Sequence, residues 1–205
     1  MLLLSTAYFA PIQYYSKLIQ DKQVVLERHE HFNKQSYRNR CTIYTANGLL
    51  DLVVPVARTR EPKIPVTEIE ISYDTLWQKL HFKAIESAYR RSPFYEYYID
   101  DLMMFFDRRH RYLYNFNMLI LQTVCRLVKI PFCVEESLNY MQPGEGITDM
   151  RNKIHPKTQY TDAEFTPPEY IQVFDDKWGF KPNLSILDLL FNTGPETKNV
   201  LSSAK

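Results

Sequence analysis

Residues 1–27 read MLLLSTAYFAPIQYYSKLIQDKQVVLE, and this stretch decides the fold. Leu2 to Ser5 and Val24 to Leu26 are short apolar runs of the kind found in buried strands. The segment Pro11 to Gln20 between them predicts a helix, with the proline in the first turn, where a missing amide does no harm. Strand, helix and strand in this order indicate a βαβ-like unit, so the loops after both strands should lie at one edge of a sheet.

A charged block follows the second strand, residues 27–40, ERHEHFNKQSYRNR. Open α/β sheets bind their ligands beyond the carboxyl ends of the strands. The block contains no glycine or proline, so turn formation alone does not explain its composition. It predicts a binding site, and an exposed charged strand of a hairpin is an equally weighted alternative.

The next segments predict a hairpin and several helices. Residues 38–46 and 49–56 flank Asn47-Gly48, which favours a two-residue turn with positive φ at both positions. Along the first arm, Arg38 and Arg40 share one face and can point together at a ligand. Further elements are a strand over 66–71, a helix over 75–91 capped by Asp74, helices over 95–106 and 114–128, a short strand over 132–134, and a buried helix over 184–191 with Ser185 and Asp188 as a capping pair.

These elements predict one α/β (or α+β) domain over residues 1–198, with a mixed β-sheet, the hairpin at 38–56 and packed helices. We expect residues 199–205 to fray. A chain of 205 residues with 45% hydrophobic content is long enough for one sizeable core.

Composition narrows the class of function. A net charge of +1 supplies no field that would attract nucleic acid. The start of the chain fits neither a signal peptide nor a membrane span, so we expect a cytoplasmic protein. The odd number of cysteines, 3, without any CxxC pairing, indicates buried thiols rather than disulfides or a zinc site.

Two later segments carry histidines. On the helix over 75–91, Trp77, His81, Ile85 and Tyr89 form one stripe, where packing is the commoner role for a histidine. Residues 141–170 predict a long loop that contains DMRNKIHPK at 149–157. If this stretch is extended, Asp149, Arg151, Lys153, His155 and Lys157 share one side, as in a lid over a site, and a solvated loop is the alternative.

Several stretches together resemble the WbqC-like family of bacteria, in the form found in Bacteroidetes. They are YFAPIQYY at 8–15, KQSYRNR at 34–40, WQKLHFKAIESAYRRSPFYEYY at 77–98 and PNLSILDLLFN at 182–192. The resemblance spans nearly the whole chain. The family usually opens with a His-Gln-Pro type motif before an aromatic-proline run, and here the corresponding residues are Ala7 to Pro11, without the histidine.

The resemblance implies that Glu27 matches the family's acidic residue at the end of the second strand. It also implies matches to the family's basic block and to its tryptophan helix, at Lys34, Asn39, Arg40, Trp77, His81 and Tyr89. The family takes its name from genes near surface-polysaccharide loci, which implies a cytosolic step in making an O-antigen or capsule.

The first hypothesis is an enzyme that acts on an anionic sugar, nucleotide sugar or phosphate, in which arginines hold the anion and a carboxylate or histidine moves a proton. The catalytic candidates are Glu27, His81 and His155. The substrate-binding candidates are Tyr8, Lys34, Arg38, Asn39, Arg40, Trp77, Tyr89 and Arg151. The second hypothesis is a non-catalytic scaffold in which the charged residues pair with one another.

No residue is assigned as a metal ligand, because the pair His29 and His31 beside Glu27 is a weak signal without a second cluster. No motif specifies a cofactor or an oligomeric state.

Overall fold

The structure is a computed structural model that describes residues 1–21, 23–58, 63–157 and 162–204. The elements in chain order are β1 (Leu2–Leu4), α1 (Ile12–Gln20), β2 (Val24–Leu26), β3 (Arg40–Thr45), β4 (Gly48–Val53), α2 (Trp77–Tyr89), α3 (Tyr95–Asp107), α4 (Leu113–Val128), β5 (Val134–Glu136), β6 (Thr148–Asp149), α5 (Asp175–Trp178), α6 (Ile186–Thr193) and α7 (Thr197–Ser203). The predicted α/β class in a single domain is confirmed.

The βαβ-like unit at the start of the chain is also confirmed. β1 and β2 are parallel neighbours, with Leu2 opposite Val24 and Leu4 opposite Leu26. β5 pairs with the outer side of β2 and β6 with the outer side of β1, so the parallel sheet has the order β5-β2-β1-β6. β1 and β2 are buried along their whole length, as expected for central parallel strands covered on both faces.

The predicted hairpin forms a separate antiparallel pair of β3 and β4, but its turn differs from the prediction. Thr45 pairs with Gly48, so Ala46 and Asn47 form the turn. Gly48 has φ of 99°, whereas Asn47 is not among the described residues with positive φ. A turn of ordinary hand followed by a glycine with positive φ replaces the expected two-residue primed turn.

The segment after the hairpin corrects two predictions. Residues 66–71 are not a strand: Val66–Glu68 is a 3₁₀ turn, and Glu70 and Ile71 make only isolated bridges to Tyr112 and Val56. Asp74 does not cap α2, because the helix begins at Trp77 and the Asp74 carboxylate accepts a hydrogen bond from Ser72 Oγ instead. The strand predicted over 132–134 is β5, two residues later.

The helices form the main core with the sheet. The stripe Trp77, His81, Ile85 and Tyr89 is buried as predicted, while Leu80 beside it is exposed. α6 is buried and is capped by Ser185, whose Oγ accepts a hydrogen bond from the amide of Leu187. Among the described residues, no helix has the length and apolar character of a membrane span.

The tail expected to fray, residues 199–205, is helical as far as Ser203. Leu201 is fully buried, and Gln20 Nε2 donates to the carbonyl of Ala204 at 2.6 Å. α7 therefore packs against α1 and closes the core near the start of the chain. Lys205 lies outside the described residues.

Candidate functional site

Polar residues follow the parallel strands at one edge of the sheet. Ser5 follows β1, Glu27 follows β2, Ser137 follows β5 and Arg151 comes shortly after β6. The strands are parallel, so their carboxyl ends meet at this edge, which is where such sheets bind ligands.

Glu27 organises this edge. Its side chain is fully buried, and each carboxylate oxygen accepts two hydrogen bonds. Oε1 accepts from the His29 amide at 2.8 Å and from Ser137 Oγ at 2.7 Å. Oε2 accepts from the Met141 amide at 2.7 Å and from Arg151 Nη1 at 3.3 Å. A buried carboxylate is stable only with such partners, so Glu27 joins the exits of β2 and β5 to the late loop.

Arg151 is a second fixed point. Its Nε and Nη2 donate to the two oxygens of Asp149 at 3.0 and 2.6 Å, and its guanidinium lies 5.0 Å from the centroid of the Tyr140 ring. Burial opposes ionisation of Asp149, but the hydrogen bonds and charge of Arg151 outweigh it and lower the pKa of Asp149. The Asp149 carboxylate therefore stays charged and orients the guanidinium.

Arg38 is held by Glu30 in the same way. Its Nε donates to Glu30 Oε1 at 2.8 Å and its Nη2 to Oε2 at 2.5 Å. Nη2 also donates to Ser5 Oγ at 2.7 Å, which ties the pair to the end of β1. Within the described part of the chain, the hydrogen bonds of the guanidinium are made by Nε and Nη2, and Nη1 makes none.

A cleft of about 490 Å³ opens beside these two arginines. It is lined by His29, Glu30, His31, Asn33, Arg38, Tyr140, Arg151 and Asn152. Arg38 and Arg151 were predicted as site residues, whereas His29 and His31 entered the sequence argument only as a weak metal pair. The sequence signal that could have assigned these two histidines to the cleft is their position directly after the buried strand β2.

The described residues contain no group of three or more His, Cys, Asp or Glu side chains placed to hold a metal ion.

The late loop is turned rather than extended. Residues 151–154 form a turn in which Met150 and Ile154 are buried, so the predicted alternation of charged side chains along 149–157 is wrong. Burial lowers the pKa of His155, and the charges of Arg38, Lys157 and Arg40 lower it further. Lys157 Nζ donates to Gln35 Oε1, so the loop does contact the block 27–40.

Four predicted site residues lie in the aromatic core instead of lining the cleft. Tyr8 Oη and His81 Nδ1 are 2.9 Å apart, and Trp77 packs on the His81 ring. Burial lowers the pKa of His81 to about 4. Tyr89 Oη donates to Asp188. These contacts give Tyr8, His81 and Tyr89 hydrogen-bonding partners in the core, whereas Trp77 is held by ring packing and its buried Nε1 has no partner among the described residues.

The remaining predicted residues are dispersed. Asn39 Nδ2 donates to the carbonyl of Val54, and Arg40 Nη1 pairs with Asp51 across the hairpin at 3.3 Å. Arg38 and Arg40 thus contact different carboxylates, Glu30 and Asp51, and do not form one clamp. Lys34 is exposed on the loop that carries the cleft residue Asn33.

Asp188 is a buried acid whose role the sequence did not reveal. Its carboxylate accepts from Tyr89 Oη at 2.9 Å, Tyr170 Oη at 2.6 Å and Gln172 Nε2 at 3.1 Å, so it does not act as the predicted capping partner. Burial raises the pKa of Asp188 to about 6, against the opposing effect of these three hydrogen bonds. The sequence signal that could have indicated a buried carboxyl is that Asp188 is the only acidic residue in the apolar helix α6.

Two other cavities are less suited to chemistry. One of about 940 Å³ lies between α2 and residues 171–176, and one of about 520 Å³ lies beside β4. Neither lies at the ends of the parallel strands, and neither is lined by a histidine. We therefore place the candidate site in the 490 Å³ cleft, although it is the smallest of the three.

Comparison with known proteins identifies the family. The model of the WbqC-like protein family matches residues 6–163 and 152–200. The chain belongs to the WbqC-like protein family. Within the curated proteins, this WbqC-like chain is similar to the uncharacterized protein Rv1507c of Mycobacterium tuberculosis, with 27% identity over 194 residues that cover 83% of each chain. No solved structure matches it.

Proposed function

We propose that this WbqC-like protein is an enzyme that binds an anionic, sugar-like or nucleotide-linked small molecule in the cleft at the carboxyl edge of the parallel sheet. The observation that carries the proposal is the convergence of Arg38, Arg151, His29 and His31 around one concave space. Clefts of this size with a few convergent polar groups are typical of small-molecule sites.

The arginines suit an anion because they are already oriented. Glu30 and Asp149 hold the two guanidinium groups, so little side-chain entropy is lost when a ligand binds. Arg38 Nη1 is the donor available for a phosphate or carboxylate oxygen. Tyr140 is half-exposed at the cleft, and its ring offers an apolar surface to a sugar.

The catalytic part of the proposal concerns proton transfer. Glu27 accepts hydrogen bonds from four donors, which favours a positioning role for it, while the histidines at the cleft supply imidazole groups that can act as general acid or base. His155, whose pKa is lowered by burial and by the charges of Arg38, Lys157 and Arg40, is the candidate of the late loop. The family resemblance supports a cytoplasmic step in bacterial surface-polysaccharide biosynthesis, of an O-antigen or a capsule.

A second candidate is a non-catalytic binding or scaffold protein of the polysaccharide machinery. The pairing of Arg38 with Glu30 and of Arg151 with Asp149 and Glu27 favours it, because these groups satisfy one another without a ligand. Under this proposal the ion pairs only stabilise the edge of the sheet.

A binding measurement separates the two candidates. Wild-type protein is screened by thermal shift against hexose phosphates, hexuronates, nucleotide sugars and inorganic phosphate, and the dissociation constant of the best compound is measured by calorimetry. Arg38→Lys keeps a positive charge opposite Glu30 but removes the planar fork, so we expect affinity to fall about tenfold or more.

Arg126→Lys is the matched control, because Arg126 makes an exposed ion pair with Asp101 on the helices. It should bind like the wild type. If no compound raises the melting temperature of a folded wild-type protein, the enzyme proposal is abandoned in favour of the scaffold. An equal loss of affinity in Arg38→Lys and Arg126→Lys would also count against the cleft as the binding site.

A further inference from the structure

His29 is fixed at the cleft by a closed set of contacts around the end of the sheet. Its amide donates to Glu27 Oε1, and the same oxygen accepts from Ser137 Oγ. The ring nitrogen Nε2 of His29 lies 3.2 Å from the carbonyl oxygen of Ser137. The backbone of His29 is therefore held by Glu27 and its ring by Ser137. These two residues follow the adjacent strands β2 and β5.

The partner of the ring determines its tautomer. A carbonyl oxygen can only accept a hydrogen bond, so Nε2 of His29 must carry the proton. In the neutral ring, Nδ1 then bears the lone pair. Within the described residues, Nδ1 has no hydrogen-bonding partner, and the side chain is exposed at the wall of the cleft. An oriented imidazole at the wall of a cleft, with one nitrogen left unprotonated, is the arrangement of a general base.

The Ser137 anchor is itself well supported. Its amide donates to the carbonyl of Leu26, and its Oγ accepts from the amide of Arg28 while donating to Glu27. Ser137 is buried, with a relative exposure of 4%. The carbonyl that holds the imidazole is thus part of the sheet edge rather than of a free loop.

We propose that His29 is the acid–base residue of this cleft, an inference that rests on the proposed function. In the forward direction, Nδ1 takes the proton of a ligand hydroxyl: the O–H bond breaks, the N–H bond forms, and the oxygen keeps the electron pair. The ring becomes an imidazolium that still donates from Nε2 to Ser137. The reverse step returns the proton. Glu27 and Ser137 act as positioning residues for this histidine.

The charges around the cleft suit this exchange. Arg38 and Arg151 line it with His29, and both are partnered by carboxylates, so they stabilise a ligand oxyanion without competing for the proton. Glu30 also lines the cleft, but its carboxylate accepts hydrogen bonds from Arg38 and Ser5 and is therefore engaged by the protein itself.

The test is nitrogen NMR of protein labelled with ¹⁵N-histidine, near pH 8, with His29→Gln used to assign the ring signals. In the free protein we expect a pyrrole-type signal for Nε2 and a pyridine-type signal for Nδ1. The compound that gives the largest thermal shift in the screen is then added, and the Nδ1 signal should move while Nε2 keeps its proton. His31→Gln is the control and should leave the tautomer of His29 unchanged.

The outcomes distinguish the role of His29 from the proposed function of the cleft. If a ligand binds and the Nδ1 signal of His29 does not move, this inference is overturned while the proposed function stands. A proton on Nδ1 in the free protein also overturns it. If no compound of the screen binds, both the proposed function and the role of His29 fail.

Discussion

At the residue scale, the buried acid Asp188 shows how environment changes a side chain. A carboxyl at the surface would titrate near 3.8, whereas burial raises the pKa of Asp188 to about 6. The donors Tyr89, Tyr170 and Gln172 reduce the cost of burying the charge without removing it. Because Asp188 lies in α6 while its donors come from α2 and from the segment before α5, the carboxyl links three parts of the molecule.

This raised pKa predicts a pH-dependent stability. The folded value lies above the unfolded value, so the contribution of Asp188 is fully present below pH 3.8 and is lost as pH rises through about 6. Asp188→Asn has no such titration. We expect the unfolding free energy of the variant, minus that of the wild type, to rise by about 2 kcal/mol between pH 4 and pH 7.

Urea unfolding at several pH values measures this difference. Asp101→Asn is the control, because Asp101 forms an exposed ion pair with Arg126 and should show little such trend. A flat difference for Asp188→Asn would mean that the carboxyl is stabilised as well in the protein as in water.

At the element scale, the hairpin depends on one glycine. Gly48 has φ of 99°, and a Cβ added there meets no atom within 4 Å, so any cost of a side chain is conformational. We expect Gly48→Ala to lower the free energy of unfolding by about 1–3 kcal/mol. Gly144→Ala is a matched control, because Gly144 is not among the glycines with positive φ and its Cβ would meet only Ile147 at 4.0 Å.

Chemical denaturation of both glycine variants gives the answer directly. A similar small loss of unfolding free energy in both variants would show that the turn between β3 and β4 relaxes to another form.

The hairpin also explains why the two arginines diverge. Arg40 lies within β3 opposite β4 and pairs with Asp51, while Arg38 precedes the strand and pairs with Glu30.

At the scale of the whole molecule, the two ends of the chain are interlocked. Ile12 donates from its amide to Leu184, and the amide of Ile186 donates to Ala10. The amide of Thr148 donates to Met1, which brings the late loop to β1. The N-terminal unit, the late loop and the C-terminal helices therefore share one core.

This interlocking predicts cooperative unfolding. Leu201→Ala removes a fully buried side chain of α7, and we expect a loss of about 2–5 kcal/mol for the entire protein rather than local fraying. Tryptophan fluorescence and far-ultraviolet circular dichroism should give the same midpoint in the variant. Ser202→Ala, at an exposed position of α7, serves as the control. An early separate loss of helix signal would show that α7 unfolds alone.

Local sequence determined much of the architecture, because its signals act over a few residues. Apolar runs at 2–4 and 24–26, the spacing of Trp77, His81, Ile85 and Tyr89, and the apolar helix after Ser185 each specify an element through burial of one face. The same reasoning located the site edge, since Glu27 and the residues after it had to follow a buried strand.

Tertiary structure alone decided which side chains meet. Glu27 joins Arg151, 124 residues away, and Asp188 joins Tyr89, 99 residues away, and no local period encodes such contacts. The packing of α2 against the core likewise places His81 beside Tyr8 instead of in the cleft. Distance in the chain is the physical reason: short-range pattern sets which face of an element is buried, whereas the partner across that face is set by how all the elements pack.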